Sequence, residues 1–541
     1  MSVPPWWRGA VVYEIYPRSF VDSNGDGVGD LPGILQRLEY VAELGVDAIW
    51  IAPFFRSPMA DFGYDVADYR AVDPLFGTMA DFDRLLAQAH QLGLKVMIDQ
   101  VLSHTSIEHE WFRESRQSRD NPKADWYVWA DPKPDGTPPN NWLSIFGGVA
   151  WRWEPRRRQY YLHNFLSSQP DLNFHQPELR RAVLENVRFW LDKGVDGLRL
   201  DAINFCFHDR ALRDNPPKPA DGRTTRGFSP ENPYAYQYHR YDNTQPENLQ
   251  FLTELRALLD EYPHAATLAE ISSEDSIATT AEYTTRDRLH MGYSFELLSE
   301  EYSARHIRSV VEGFEAKLTD GWPCWAFSNH DVRRVVTRWG GEQPSKYFAN
   351  QLIALLCSLR GSVCLYQGEE LGLSEALVPF ESLRDPYGIA FWPNFKGRDG
   401  CRTPMPWNGG EHAGFSSVRP WLPVAAEHRA LNVEAQLADR HSVLNSTRAF
   451  LQWRRRHAAL KWGDIKFVDV PEPLLAFTRT HGDSRLFAAF NLSSETIQTT
   501  LKLPARIEQI ESVGVLAGGL RDGHLTLPGH GVVFGRVGGL G

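Results

Sequence analysis

Cysteine is scarce in this 541-residue chain, and the few present follow no pattern. The five (Cys206, Cys324, Cys357, Cys364 and Cys401) are odd in number and scattered, which excludes a disulfide framework and any zinc-type spacing. Long hydrophobic runs are also missing. No stretch approaches the roughly 18 apolar residues of a membrane span, so no membrane partner is expected. The opening MSVPPWWRGAVVYEIYP lacks the apolar core of a secretion signal, which makes the expected location cytoplasmic. Positive charge is outweighed: the net charge of −11 argues against a nucleic-acid backbone as partner. There is no internal repeat and no low-complexity tract. A hydrophobic content of 42% and a charged content of 23% fit an ordinary globular chain, which at this length divides into about two or three domains.

What the chain has is aromatic residues, 12% of the total with eighteen Trp, and a steady alternation of strand and helix patterns. Most Trp serve cores and domain interfaces rather than ligands. VVYEIYP (11–17), DAIWIAP (47–53) and KVMIDQV (95–101) read as strands. LPGILQRLEYVAEL (31–44), ending at Gly45, and DFDRLLAQAHQL before Gly93 read as helices. Three such steps in about ninety residues predict a parallel sheet with right-handed crossovers. The rhythm breaks over 104–173, a stretch rich in Trp, Pro, Asn and charge with strand-like pieces such as QYYLHNF. It resumes with a helix from Pro177, stopped by Gly194, and strands at GLRLDAI, ATLAEI, near MGYSFEL, at PCWAFS and at VCLYQGEE. The Pro-, Tyr- and Asn-rich 214–248 reads as a rim loop. After FLQWRRRHAAL (450–460), segments such as LLAFTRT, RLFAAFNL, TLKLP and GVVFGRV predict an antiparallel sheet. The expected architecture is α/β: a (β/α)8 barrel over 1–103 and 174–457, an inserted subdomain over 104–173 after the third strand, and a C-terminal antiparallel β-sandwich over 458–541.

Four short apolar runs stop, one after another, at charged residues. They are DQVLSH (99–104), GLRLDAINF (197–205), TLAEIS (267–272) and FSNHD (327–331). A charge ending a buried strand avoids the cost of burial only if that end opens onto a cleft. In a βα-alternating chain, that cleft is the C-terminal rim of a barrel. The chemistry these residues fit is cleavage of a glycosidic bond with retained configuration, which needs an ionised nucleophile and a protonated acid on opposite sides of C1. Asp201 suits the nucleophile, since Arg199, two residues earlier on the same strand face, would hold it ionised. Glu270, among apolar neighbours, suits the acid/base. Asp331 would stabilise the oxocarbenium-like transition state, and His104 and His330 would donate to sugar hydroxyls. Taken alone, an Arg-x-Asp on a strand is more often a buried ion pair; the four segments together turn that reading around.

At these residues the chain resembles the α-amylase superfamily, glycoside hydrolase family 13, in its α-glucosidase and oligo-1,6-glucosidase branch. The resemblance spans nearly the whole chain and includes IYPRSFVDSNGDGVGDLPGI (15–34), DFGYDVADY (61–69), QPDLNF (169–174) and GRDGCRTPMPW (397–407). It implies the same barrel, insertion and C-terminal sandwich, and assigns Asp201 as nucleophile, Glu270 as acid/base and Asp331 as transition-state stabiliser. It also places Asp61 and Arg402 at the non-reducing-end glucose, as a facing carboxylate and guanidinium that close the pocket behind that sugar. Tyr64 would stack on the glucose, and Phe146 and Phe165 would be walls. Ala202, after the nucleophile, matches a position where valine accompanies α-1,6 cleavage and smaller residues α-1,4. The expectation is therefore a retaining exo-acting α-glucosidase for short α-1,4 glucosides such as maltose, with transglucosylation to a sugar or alcohol as a side activity. Oligo-1,6-glucosidase, sucrose hydrolase and trehalose-forming isomerase use the same catalytic set and stay open. So does a catalytically inactive sugar-binding or transporter-associated relative.

Two departures stand out. Ser103 replaces the Asn that many members carry before the histidine, which removes a ligand of the amylase-type calcium between barrel and insertion. Pro406 stands where relatives often carry Gln. Calcium-like spacing appears elsewhere, in DSNGDGVGD: Asp22, Asn24, Asp26, the Val28 carbonyl and Asp30 fall at positions 1, 3, 5, 7 and 9 of an EF-hand-type loop, although position 12 is Gly33. A structural calcium, with magnesium second, is expected there, and no organic cofactor.

Overall fold

The computed structural model describes residues 4–223, 231–341, 344–501 and 506–538. Eight parallel strands close into a barrel: β1 (Val11–Ile15), β2 (Ala48–Ile51), β3 (Lys95–Val101), β4 (Gly197–Asp201), β5 (Ala266–Ile271), β6 (Met291–Ser294), β7 (Trp322–Trp325) and β8 (Ser362–Tyr366). Each pairs with its sequence neighbours, and β1 closes the ring against β8 through Val11↔Val363 to Glu14↔Tyr366. The strands are continuous apolar runs because both faces are buried. Val12, Trp50, Met97, Leu268, Met291, Cys324 and Cys364 form one cluster, while the alternate residues Val11, Tyr13, Ile49, Val96 and Ile98 join a second core with the helices. All five cysteines are free and buried.

The helices follow their end signals. Met79–Gln91 begins with a capping box between Thr78 and Asp81, which satisfies first-turn N–H groups from both sides. Pro177 is the first residue of Pro177–Asp192, whose Leu179, Val183, Val187, Trp190 and Leu191 are buried. The expected single helix over 31–44 is instead two, Leu31–Gln36 and Leu38–Leu44, divided at Arg37, where φ −118° and ψ 10° leave the helical region. Gly45 ends the second at φ 91°, a conformation that favours glycine.

Between β3 and β4, residues 104–173 carry a small antiparallel sheet in which Gln159–Leu162 pairs with both Trp129–Ala130 and Trp151–Glu154. Its own cluster includes Trp142, Trp151 and Leu162. The boundaries expected at 103/104, 173/174 and 457/458 cut no helix or strand. Of the expected rim loop, residues 224–230 lie outside the described set. Its later part carries the turn Pro233–Tyr236 and is tied to the insertion by the Asn232 side chain, whose Nδ2 donates to the Ile145 carbonyl at 2.6 Å.

The C-terminal region has two antiparallel sheets. The larger comprises β9 (Asp464–Val468), β10 (Leu474–His481), β11 (Ser484–Asn491), β13 (Ile507–Ile510) and β16 (Val532–Val537), in the order β9-β10-β11-β16-β13. The smaller has β15 (His524–Leu527) between β12 (Ile497–Thr500) and β14 (Gly519–Arg521). Leu474, Ala476, Phe487 and Ala489 cluster with Leu525 and Leu527 of the small sheet, whereas Leu475, Phe477, Phe490 and Phe534 join the barrel's core. TLKLP extends past Leu501 into residues outside the described set. Among the described residues, no helix is long and apolar enough to cross a membrane.

Candidate active site

The C-terminal ends of the barrel strands open into a pocket of about 830 Å³, mouth included. Alternation of side chains along each strand delivers its polar residues. Arg199 and Asp201 share the inner face of β4, Glu270 lies two residues after the inward Leu268 on β5, and Asp99 of β3 stands in register with Arg199. Asp331 lies beyond β7, where the buried Asn329 side chain accepts from the backbone N–H of Asp331 at 2.9 Å and of Val332 at 3.0 Å.

One fully buried guanidinium organises these acids. Arg199 Nη1 lies 2.6 Å from Asp201 Oδ1 and 2.9 Å from Asp99 Oδ1, and its Nη2 lies 2.8 Å from Glu270 Oε1. The Ala202 N–H donates to Glu270 Oε2 at 3.1 Å, with Ala202 held at φ 40° and ψ 44°. A non-glycine residue in the left-handed region is backbone strain of the kind that collects at functional sites. Asn204 ties β4 to β5 by donating to the Ser272 carbonyl at 2.7 Å.

The electrostatics separate the three acids. Burial pushes Asp201 up to about 7 and Glu270 up to about 8, with Arg199 pulling both down. Asp331 pays a burial penalty as well, yet the Arg398 and Arg402 guanidiniums in contact with it hold it well below the usual carboxylate range. Burial lowers His104 to about 4, so its ring is neutral.

Of the residues singled out from sequence, Asp61, Tyr64, His104, Asp201, Glu270 and Asp331 line the pocket. Phe146, Phe165 and Ala202 line it too. Arg199, His330 and Arg402 sit behind that lining, fully buried. Both ring nitrogens of His104 have partners: Nδ1 meets Ser103 Oγ at 2.9 Å, and Nε2 meets the Tyr64 carbonyl at 3.1 Å.

The expected Asp61–Arg402 pair is not formed. Asp61 Oδ1 is held at 2.8 Å by Arg398, which also reaches Asp385 at 2.8 Å and Asp331 at 3.1 Å. Arg402 turns instead to the His330 carbonyl at 2.7 Å and to Asp331 Oδ1 at 2.8 Å. The cause lies in the 397–402 turn, where Asp385 accepts from both the backbone N–H and the side chain of Arg398 and so aims that residue at Asp61. Arg398 was missed although it stands in the quoted GRDGCRTPMPW stretch. Gln169, whose Nε2 donates to Asp61 at 3.2 Å, stands likewise in QPDLNF. The rest of the lining is largely apolar, with Ile145, Phe205, Phe295, Val332 and Tyr387, none of which carries a signal in the sequence beyond its hydrophobicity.

The 22–30 turn keeps its acids busy within the chain. Asp22 accepts from the N–H groups of Asn24, Gly25 and Gly27 and from the Ser416 hydroxyl. Asp30 caps the following helix through the Gly33 N–H and also accepts from Ser23. Asn24 and Asp26 each accept from the N–H two residues on. These donors offset the mutual repulsion that suggested a cation. Among the described residues, no three His, Cys, Asp or Glu side chains are grouped as a metal cage.

Residues 14–463 match the catalytic domain of α-amylase. The chain is 55% identical over 537 residues to a probable α-glucosidase of Rhizobium meliloti (strain 1021), covering 98% of this chain and 97% of that one. It is 37% identical to an oligo-1,6-glucosidase of Heyndrickxia coagulans, covering 91% and 93% of the two chains. Among solved structures, an α-glucosyl transfer enzyme, XgtA, superposes with a TM-score of 0.98 at 68% identity, over 99% of this chain and all of the other.

Proposed function

The chain belongs to the α-amylase family, and from that premise we propose that it is a retaining, exo-acting α-glucosidase for short α-1,4-linked glucosides. The observation that carries this is one buried guanidinium in contact with two carboxyls that both line one pocket. Asp201, with Arg199 at 2.6 Å to stabilise its carboxylate, attacks C1 and forms a glucosyl ester. Glu270 gives its proton to the departing glycosidic oxygen, then as carboxylate takes a proton from the water that hydrolyses the ester. Asp331, kept anionic by Arg398 and Arg402, offsets the positive charge that develops on the sugar ring.

Exo action is supported by the Asp61–Arg398 pair, which closes the pocket behind a terminal glucose. The substrate-binding roles of Tyr64, His104, Phe146 and Phe165 are supported by their place in the lining. The small Ala202 beside the nucleophile supports an α-1,4 preference. An apolar part of the lining favours sugar or alcohol acceptors that compete with water for the glucosyl ester, which gives transglucosylation as the accompanying activity. Likeness to a transfer enzyme supports the same reading.

The test is turnover of maltose, isomaltose, sucrose and trehalose by the purified protein. Maltose should lead. An isomaltose lead would overturn the linkage reading, and absence of glucose from all four would sink the enzyme reading. A calcium or magnesium ion at Asp22, Asn24, Asp26, Val28 and Asp30 is proposed on spacing alone. Chelation should then lower the Tm, and an unchanged Tm would leave the turn to its own hydrogen bonds.

A further inference from the structure

β1 carries an acid inside an apolar strand. Glu14 follows the inward-facing Val12 by two residues and is fully buried. Its Oε1 lies 2.5 Å from His330 Nδ1, and its Oε2 has no hydrogen-bond partner among the described residues. The imidazole is confined on each side. Tyr16 and Tyr64 stack on it with centroids 5.6 and 5.3 Å away and ring planes 14° and 8° from parallel, and Trp50 meets it edge-on at 5.9 Å. His330 Nε2 lies 2.6 Å from Tyr64 Oη and 3.3 Å from Asp331 Oδ2. Tyr64 Oη donates in turn to Asp99 Oδ2 at 3.0 Å.

Counting protons decides what each atom does. A phenol has one hydrogen, and Asp99 Oδ2 accepts it. Asp331 Oδ2, 3.3 Å from Nε2, also calls for a donor there, and together these assign the hydrogen of the Tyr64–His330 contact to Nε2. His330 Nδ1 is then either a bare acceptor facing an acid O–H, or the second N–H of an imidazolium facing a carboxylate. The charged pair would bury a carboxylate with one oxygen unpartnered. Asp331, 3.3 Å from Nε2, favours an imidazolium, but Arg402, Arg199 and Arg398 oppose it and two of them already pair with Asp331. Burial raises the Glu14 carboxyl well above its ordinary range and lowers His330 to about 3, so both directions favour the neutral pair. Cys364, Arg199, Asp331, Asp99 and Tyr293 are the other titratable groups that act on Glu14, and the nearby acids reinforce its protonation.

We propose that Glu14 is a positioning residue: as a neutral acid it donates its O–H to His330 Nδ1 and locks His330 as the Nε2–H tautomer that faces Asp331. The inference rests on the reading of this pocket as a glucosidase site. In Glu14→Gln the amide N–H donates to Nδ1 as the acid does, whereas Glu14→Leu offers nothing. With 4-nitrophenyl α-glucoside as probe, Glu14→Gln should stay within about threefold of the parent kcat/KM. Glu14→Leu should lose about 10- to 100-fold, the range for partners that orient a functional ring, mainly in kcat. Equal loss in both variants would mean that a carboxylate is required. A lowered Tm with unchanged kcat/KM would mean a purely structural role. Either result overturns the proposal. Neutron diffraction on the parent protein tests it without a variant and without substrate: deuterium should sit on Glu14 Oε1, and deuterium on His330 Nδ1 would refute it. If the parent protein turns over no α-glucoside, the glucosidase reading fails by itself, because the deuterium position does not depend on it.

Discussion

The charged and the apolar parts of the pocket are built on opposite principles. In the charged part, Asp61, Asp99, Asp201, Glu270 and Asp331 are held by three buried guanidinium groups, and the contacts lie between 2.6 and 3.1 Å. In the apolar part, Ile145, Phe205, Phe295 and Val332 line the pocket, and Asn232 fastens Ile145 and Tyr387 by donating to both. The difference separates two kinds of recognition. Paired charges fix where hydroxyls and C1 must lie, so the charged part discriminates among sugars. Apolar surface fixes little beyond area, so that part tolerates many leaving groups and acceptors.

Removing the nucleophile is the severest way to break the charged part. Asp201→Ala should abolish turnover, by about 10⁴-fold or more, while leaving the fold intact. Activity at the parent level would remove Asp201 from the chemistry. Glu270→Gln should cost about 10²- to 10⁴-fold on maltose. It should cost far less on an aryl glucoside, whose leaving group needs no proton. The pH profile sharpens the same point. Below about 7, Asp201 is protonated and cannot attack; above about 8, Glu270 has lost the proton it must donate. A narrow bell follows, and Glu270→Gln should erase its alkaline limb. Arg398→Ala should come next, because it leaves Asp61 and Asp385 buried without a cation, a penalty of about 3–5 kcal/mol divided between Tm and kcat/KM. In the apolar part of the lining, Phe295→Ala should change maltose hydrolysis by less than about tenfold and move mainly the ratio of transfer to hydrolysis, as product analysis would show.

The barrel and its three acids were legible because of one physical constraint. A charge at the end of a fully buried strand needs a cleft, and Asp201, Glu270 and Asp331 each announce it. The same constraint, applied inside the strand rather than at its end, points to Glu14 in VVYEIYP, which the reading of strand ends passed over. Pairing between loops was not legible. Arg398 and Arg402 lie four residues apart in one turn, and only the contact with Asp385, thirteen residues upstream of Arg398, decides which of them meets Asp61. The 22–30 turn was legible as a spacing only: it resembles a cation loop, and sequence alone does not show that Asp22 also accepts from three backbone N–H groups. The break at Arg37 also left no pattern, since apolar spacing runs on through it.

The account stands or falls on Asp201 and Glu270 working from opposite sides of one anomeric carbon. Proton NMR of the first glucose released from maltose reads this directly. Double displacement predicts α-glucose at early times, drifting to the equilibrium mixture by mutarotation. β-Glucose as the first product would mean a single inverting displacement and would contradict it.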